Sequence, residues 1–207
     1  QQMSFEAALR LTEILLAIAL LQQCFEYLIL LKERRVLIIA RILCSTALLI
    51  GVFTPLACIG LIIIYIIMLD HYNGPYNGGS DRMSLLILLC VTMTHSLPGQ
   101  TLKELAFGYL ALQLVLSYFM AGWVKLKNPE WRNGTALFDV FSYSAYAAQD
   151  SIRNMANHKR PMLSLSWLVI LFELIFPFML LSQTTLFIAL GGAALFHLSN
   201  YYCFGLN

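Results

Sequence analysis

Long apolar stretches alternate with short polar breaks along the chain, and this alternation is its dominant pattern. Within the stretches there is no two-residue alternation of the kind that membrane β-strands show, so each stretch is typical of an α-helix. We predict seven helical segments, which are Phe5–Leu31, Val36–Val52, Pro55–Leu69, Arg82–Ser96, Lys103–Val124, Ser164–Leu181 and Thr184–Phe204.

The second and third segments are separated by the turn signal GVFTP, Gly51–Pro55. Both segments are near the lower length limit for crossing about 30 Å of hydrocarbon. They form either a tight helical hairpin or one kinked helix, and the kinked helix would reduce the count to six. The pattern therefore predicts an all-α, polytopic helical bundle with six to seven transmembrane helices, in a single domain over residues 1–207.

Composition points to the same class of protein. Of the 207 residues, 59% are hydrophobic and 12% are charged, whereas a soluble domain usually has about 25% charged residues. The mean hydropathy is +0.74. A formal net charge of +2, with no long basic run, excludes a nucleic-acid-binding protein. The expected surroundings are the lipid bilayer.

The longest polar connection lies between the fifth and sixth segments. Over about residues 135–157 its apolar residues fall on one helical face, which consists of Leu137, Phe141, Ala148, Ile152 and Met155. We predict an amphipathic helix in the membrane interface, with a plain solvated loop as the alternative.

The five cysteines lie within apolar runs and form no C-x-x-C pair. We interpret them as buried thiols that pack as small hydrophobic side chains. We expect no metal site, haem attachment or disulfide framework.

Ionisable residues at membrane depth cost about 2.5–3.5 kcal/mol each, so every one is a candidate functional residue. We expect structural roles for Glu13, Glu26 and Arg41, and Arg41 is close enough to a helix end to extend its side chain to the surface. Glu173 is deeper, and Pro177 removes the amide that would bond to its carbonyl. The sequence predicts a kink there, with Glu173 either lining a cavity or buried and protonated.

A second polar group lies in the last segment. His197 shares a helical face with Asn200 and Tyr201, and a polar face at this depth is expected to point into the bundle. The alternative is a histidine whose hydrogen bonds are satisfied in the core.

Lys125 ends the fifth segment and has two interpretations. At a helix end it is an anchor that extends to the headgroups. If it points inward, burial favours the neutral amine, which is a base. Tyr118 lies seven residues earlier on nearly the same face, but spacing does not distinguish the two interpretations.

The passage Tyr118–Gly134 resembles the vitamin K-dependent gamma-carboxylase family and its wider relatives, the HTTM (horizontally transferred transmembrane) domain proteins. The matching elements are Tyr118, Phe119, Ala121, Gly122, Lys125, Leu126, Trp131 and Gly134. FHLSN, Phe196–Asn200, is similar to a Phe-His-x-x-Asn motif of that family. In PYNGGSD, Asn77 matches a family asparagine, but Gly79 occupies the position of the family histidine.

The resemblance implies that Lys125 is the catalytic base, acting on a quinone or hydroquinone. By the same resemblance and the polar pattern, the candidate ligand-binding residues are His197, Asn200, Asn77, Tyr118, Glu173 and Trp131. The expected location is a bacterial inner membrane. At 207 residues the chain is short for the extramembrane domain that holds the carboxylase's peptide substrate, so we expect another membrane or extramembrane protein as its partner.

Two functions follow as hypotheses. The first is a small enzyme, or enzyme subunit, that transfers protons through Lys125 and assists the maturation of a secreted peptide. The second is a non-catalytic transmembrane subunit of a larger complex, which Gly79 at the histidine position favours.

Overall fold

The protein is described by a computed structural model that covers residues 4–30, 34–71, 79–143, 153–154 and 156–204. Within these ranges the chain is helical and has no β-strand, which confirms the all-α prediction. The α-helices are α1 (Phe5–Leu30), α2 (Arg35–Ile50), α3 (Thr54–His71), α4 (Gly79–Ser96), α5 (Gln100–Lys127), α6 (Pro129–Arg132), α7 (Thr135–Tyr143), α8 (Lys159–Ile175) and α9 (Gln183–Phe204). A 3-10 helix, Phe176–Leu181, continues α8.

Four stretches of the described chain are long and apolar enough to cross a membrane: Phe5–Phe25, Gln100–Lys127, Lys159–Leu181 and Gln183–Cys203. The predicted count of six to seven spans is therefore not confirmed. A span needs about 20 apolar residues. By that standard α2 is short, with 16 residues, and the apolar part of α3 is only Thr54–Met68. α4 begins with the polar sequence GSDR.

The turn between α2 and α3 separates two distinct helices. Gly51 follows the end of α2 with φ of 78°, in the left-handed region that favours glycine. The amides of Gly51 and Val52 both donate to the carbonyl of Ala47, at 3.0 Å. α2 and α3 pack against each other. The pair is thus a helical hairpin and not one kinked helix.

The chain folds into two compact units, residues 1–111 and 112–207, and α5 begins in the first and ends in the second. The core of the first unit is formed by buried apolar residues of α1 to α4, which include Ala17, Leu20, Leu48, Cys58, Leu61, Leu88 and Val91. In the second unit Leu137, Phe141, Ala156 and Met162 form a smaller buried cluster. A single domain over residues 1–207 stays a prediction.

Helix α7 covers the beginning of the predicted interfacial helix, and residues 144–152 and 155 lie outside the described residues. Leu137 and Phe141 are 7% and 5% exposed and pack against Met162. In this part the apolar face contacts other residues of the second unit. The interfacial helix stays a prediction, because an apolar helical face is equally suited to a protein core and to a membrane interface.

Candidate functional site

The site in the second unit begins where α5 and α8 approach each other closely. A Cβ atom on Gly122 would lie 2.9 Å from Cβ of Glu173 and 3.0 Å from the backbone nitrogen of Leu174. No larger residue fits that separation without displacing α8. On α8 the buried residues Met162, Ser166, Ile170 and Glu173 recur every three or four positions and so share one face. This face positions Glu173 beside α5.

Lys125 points inward and binds Glu173. Its Nζ lies 2.7 Å from both Oε1 and Oε2 of Glu173. The side chains are 19% and 6% exposed, respectively. Of the two interpretations that the sequence left open, the inward one describes Lys125. The sequence did not pair these two residues, which are 48 positions apart, although each was predicted as a site residue.

Trp131 covers the same ammonium group. The Nζ of Lys125 lies 5.2 Å from the centre of the Trp131 ring, within cation–π range. The short helix α6 holds Trp131 in place, because Asn128 accepts a hydrogen bond from the Glu130 amide at 2.9 Å and caps the helix. The hydroxyl of Ser166 on α8 donates to the carbonyl of Trp131.

The neighbouring lysine behaves differently. Lys127 is exposed, and its Nζ lies 4.9 Å from the ring centre of Trp123. Trp123 is itself 40% exposed. This arrangement is typical of a helix end at a membrane boundary. The two lysines of this motif thus differ in burial and in partner.

Tyr118 lies about 10 Å along α5 from Lys125, given a helical rise of 1.5 Å per residue. Its hydroxyl lies 3.2 Å from Nε2 of His197 on α9. Its ring stacks on Phe176 at 4.1 Å between ring centres and meets Phe172 edge-on at 6.1 Å. Phe172 also lies 6.5 Å from Phe196, between ring centres. An aromatic group thus joins the Tyr118–His197 pair to the segment that carries Glu173.

The aromatic residues Phe172 and Phe176 were not predicted as part of the site. Their signal in the sequence is the run FELIF, in which they lie one position before and three positions after Glu173. The α-helix α8 ends at Ile175 and continues as the 3-10 helix that contains Pro177. This change of helix type agrees with the predicted break, since proline cannot donate to the carbonyl of Glu173.

The polar face predicted in the last segment is only partly inward. His197 reaches Tyr118 but is exposed, Tyr201 is 48% exposed, and Asn200 is half-buried. α9 is covered on little of its surface, with 11% of its apolar stretch buried, so an inward orientation of the whole face stays a prediction. Asn77 lies outside the described residues, as does the side chain of Glu26.

Glu13 has a structural role in the first unit, as expected. It is 3% exposed. Its Oε2 accepts from Arg10 at 2.7 Å, and its Oε1 lies 2.6 Å from Nε2 of His95. Arg10 also donates to the carbonyls of Leu48 and Leu49 at the end of α2. Glu13 thus joins α1 to the end of α4, and Arg10, which it binds, joins α1 to the end of α2.

Arg41 does not extend to the surface. It is 2% exposed and lies among Gln23, Tyr27 and Tyr65 of the first unit. The expectation of an outward side chain was wrong because α2 presents this position to α1 and α3. Within the described ranges, no group of three or more His, Cys, Asp and Glu residues could hold a metal ion.

The model of the HTTM domain family matches residues 20–207, which is nearly the whole chain and includes every element of the site. The chain belongs to the HTTM domain family. Comparison with characterised proteins gave no match, and neither did comparison with solved structures. Membership places this HTTM domain with the gamma-carboxylase-like membrane domains. The apolar helices and the family together indicate an integral membrane protein.

Proposed function

We propose that this HTTM protein binds a lipid-soluble, quinone-like molecule beside Lys125 and Glu173 and transfers a proton to or from it. The observation that carries the proposal is the buried pair in which Nζ of Lys125 lies 2.7 Å from both carboxylate oxygens of Glu173. An ionisable pair that a membrane helix buries is a candidate proton-transfer site, because its burial is costly and function is the usual reason to keep it.

The two residues work as one acid–base unit. The carboxylate of Glu173 can accept the proton of a ligand hydroxyl, so that the O–H bond of the ligand breaks and an O–H bond of the carboxyl group forms. The ammonium of Lys125 then stabilises the oxyanion that remains on the ligand. The same products result if Lys125 first passes its own proton to Glu173 and the amine takes the ligand proton. In both routes the net charge of the site is unchanged, which limits the cost of the step in surroundings that contain little water.

The remaining site residues suit a flat, apolar ligand. The rings of Tyr118 on α5, Phe172 on α8 and Phe176 at the start of the 3-10 helix form a stacked and edge-on group beside the pair. Planar rings bind such groups with favourable offset-stacked or edge-to-face geometry. Tyr118 is half-buried and His197 is exposed, so the ligand would enter from the membrane side through this pair. His197 and Asn200 would then orient its polar end.

A role beside a partner protein fits this activity. We propose that the HTTM protein assists the maturation of a secreted peptide in a bacterial inner membrane, with the partner holding the peptide. The HTTM protein would contribute the proton transfer, and the partner would contribute recognition of the substrate.

Trp131 provides a direct test of ligand binding, because its ring lies 5.2 Å from the Lys125 ammonium. The sequence has three tryptophans, so a Trp123→Phe/Trp167→Phe background leaves Trp131 as the single fluorophore. Titration with menadione in detergent micelles should quench Trp131 fluorescence saturably. We expect Lys125→Met to weaken the apparent affinity roughly tenfold, the effect of losing about 1.4 kcal/mol of binding. The matched control Lys127→Met should leave it unchanged. If quenching is linear and equal in the single-tryptophan protein and its Lys125→Met and Lys127→Met variants, menadione does not bind at this site.

Proton transfer has a separate assay. Removing the hydroxyl proton of menadiol speeds its oxidation by oxygen, so the wild-type protein should accelerate oxygen uptake by menadiol. Lys125→Met and Glu173→Gln should abolish the acceleration, whereas Lys127→Met should retain it. If all four proteins consume oxygen at the rate of empty micelles, proton transfer at this site is refuted.

The second candidate is a non-catalytic subunit of a membrane complex, and one observation favours it. Both oxygens of Glu173 are already bound by Lys125, as in an ion pair that only joins two helices. Saturable menadione binding without oxygen uptake, together with a stoichiometric partner on purification, would support this candidate over the first.

A further inference from the structure

Arg41 is the largest fully buried side chain in the described part of the chain, and it is 2% exposed. Two polar atoms on its face of α2 are buried without a hydrogen-bond partner, and these are Nε of Arg41 and Oγ of Ser45. The residues are four positions apart and therefore neighbours on the helix. A buried donor that makes no hydrogen bond costs about 1–3 kcal/mol, so two on one face indicate a site for an additional group.

The surroundings of Arg41 leave its Nε available. The oxygen Oε1 of Gln23 accepts from Nη2 at 2.6 Å. The rings of Tyr27 and Tyr65 lie 5.3 and 4.9 Å from the guanidinium carbon, and Nη1 lies 3.9 Å from Sδ of Met68. These contacts use the two terminal nitrogens and the faces of the guanidinium group. They hold its position and leave the Nε–H donor without a partner.

Ser45 differs from most of the helical hydroxyls for which the structure gives a hydrogen bond. Ser and Thr side chains inside helices commonly donate to the carbonyl four residues earlier. Among the described residues, Thr12, Thr92, Thr94, Ser96 and Ser199 do so. The hydroxyl of Ser45 makes no such bond although the residue is fully buried. It is therefore available to a group that is not part of its own helix.

The charge at this position favours an anion. Among the side chains that the structure describes, no carboxylate lies within ion-pair distance of Arg41. Asp81 accepts a hydrogen bond from the hydroxyl of Tyr65, at 3.3 Å, and acts on Arg41 through its charge without a direct ion pair. The guanidinium group has donors and no acceptor atom, and hydrogen bonds from arginine to anions are among the strong ones.

We propose that Arg41 and Ser45 bind a small monovalent anion inside the first unit. The anion would accept hydrogen bonds from Nε of Arg41 and Oγ of Ser45 and would balance the guanidinium charge. It must be small, because both tyrosine rings cover the guanidinium group and both side chains are buried. For the same reason the phosphate of a lipid headgroup does not fit. This site is separate from the Lys125–Glu173 pair and does not depend on the function proposed for it.

The test uses chloride as the probe. The protein is purified in detergent with the bulky anion gluconate, and chloride replaces gluconate at constant ionic strength. We expect one radioactive chloride to bind per chain in equilibrium dialysis. We also expect the thermal unfolding midpoint, followed by far-UV circular dichroism, to rise with chloride concentration, since a ligand of the native state stabilises it.

Three variants locate the site. Ser45→Ala should keep wild-type stability in gluconate, because its hydroxyl makes no hydrogen bond there, but should weaken chloride binding roughly tenfold through loss of one hydrogen bond. Arg41→Gln should abolish binding. Arg35→Gln, which changes an exposed arginine of the same helix, should bind chloride as the wild type does. The proposal is overturned if the wild type shows no saturable chloride binding. The proposal is also overturned if Ser45→Ala binds chloride with wild-type affinity. This measurement decides the question even if Arg41→Gln does not fold.

Discussion

Replacing Lys125 by methionine should destabilise the protein by about 3 kcal/mol, because the Glu173 carboxylate then stays buried without its partner. Removing one member of a buried ion pair typically costs about 3–5 kcal/mol. The lower end applies here, since 19% of the Lys125 side chain and 6% of the Glu173 side chain are exposed. Glu173 can also take up a proton once the ammonium is gone, which limits the cost further.

The converse change, Glu173→Gln, should cost about 2 kcal/mol, because the amide oxygen can still accept one of the two hydrogen bonds. The double variant Lys125→Met/Glu173→Gln removes both charges. We expect it to lose about 3 kcal/mol, which is about 2 kcal/mol less than the sum of the single changes. That difference is the coupling energy of the pair in a double-mutant cycle.

The free energy of unfolding can be measured by titrating mixed micelles with dodecyl sulfate and following far-UV circular dichroism. Lys127→Met is the matched control and should cost under about 1 kcal/mol, the value of an exposed cation–π contact such as the one with Trp123. Equal losses for Lys125→Met and Lys127→Met would contradict a stabilising role for the buried pair. A coupling energy below about 0.5 kcal/mol would do the same, since it would mean that the pair does not interact in the folded protein.

Two further changes test the packing around the sites. Gly122→Ala places a Cβ 2.9 Å from Cβ of Glu173 and should destabilise the protein by about 1–3 kcal/mol in the same titration. The control is Gly108→Ala, whose Cβ would meet nothing within 4 Å, and it should be neutral or stabilising. Glu13→Gln weakens two charge-assisted hydrogen bonds to a side chain that is 3% exposed. It should therefore lower the free energy of unfolding by about 2–3 kcal/mol. The exposed control Glu6→Gln should stay within about 0.5 kcal/mol, and equal losses at the two positions would contradict a role for Glu13 as a helix tie.

Much of the site could be predicted from local pattern. The motif that ends α5 identified Lys125, Gly122 and Trp131 as a group, and the structure places Trp131 over Lys125 and Gly122 against Glu173. Pro177 identified the change of helix type after Glu173. These features depend on residues close together in the chain, where helical spacing and backbone chemistry already limit the geometry.

The partners of charged residues were less predictable. The local sequence around Arg41 is compatible with an inward and with an outward side chain. Its burial depends on the faces that α1 and α3 present to it. His197 shows the same dependence, since it contacts Tyr118 of α5 and is nevertheless exposed. The direction of a side chain that can reach either way depends on which neighbouring helix covers it.

The order of residues is enough to predict a helical protein suited to a membrane, because apolar length and the lack of a strand pattern are properties of the sequence alone. The order of residues also shows which positions resemble the HTTM motif. The pairing of Lys125 with Glu173 across 48 positions, the exposure of Lys127 and the two tyrosine rings around Arg41 follow only from the folded arrangement of the helices. The free energy of a charged group depends on its neighbours in space, and helix packing brings together neighbours that are distant in the chain.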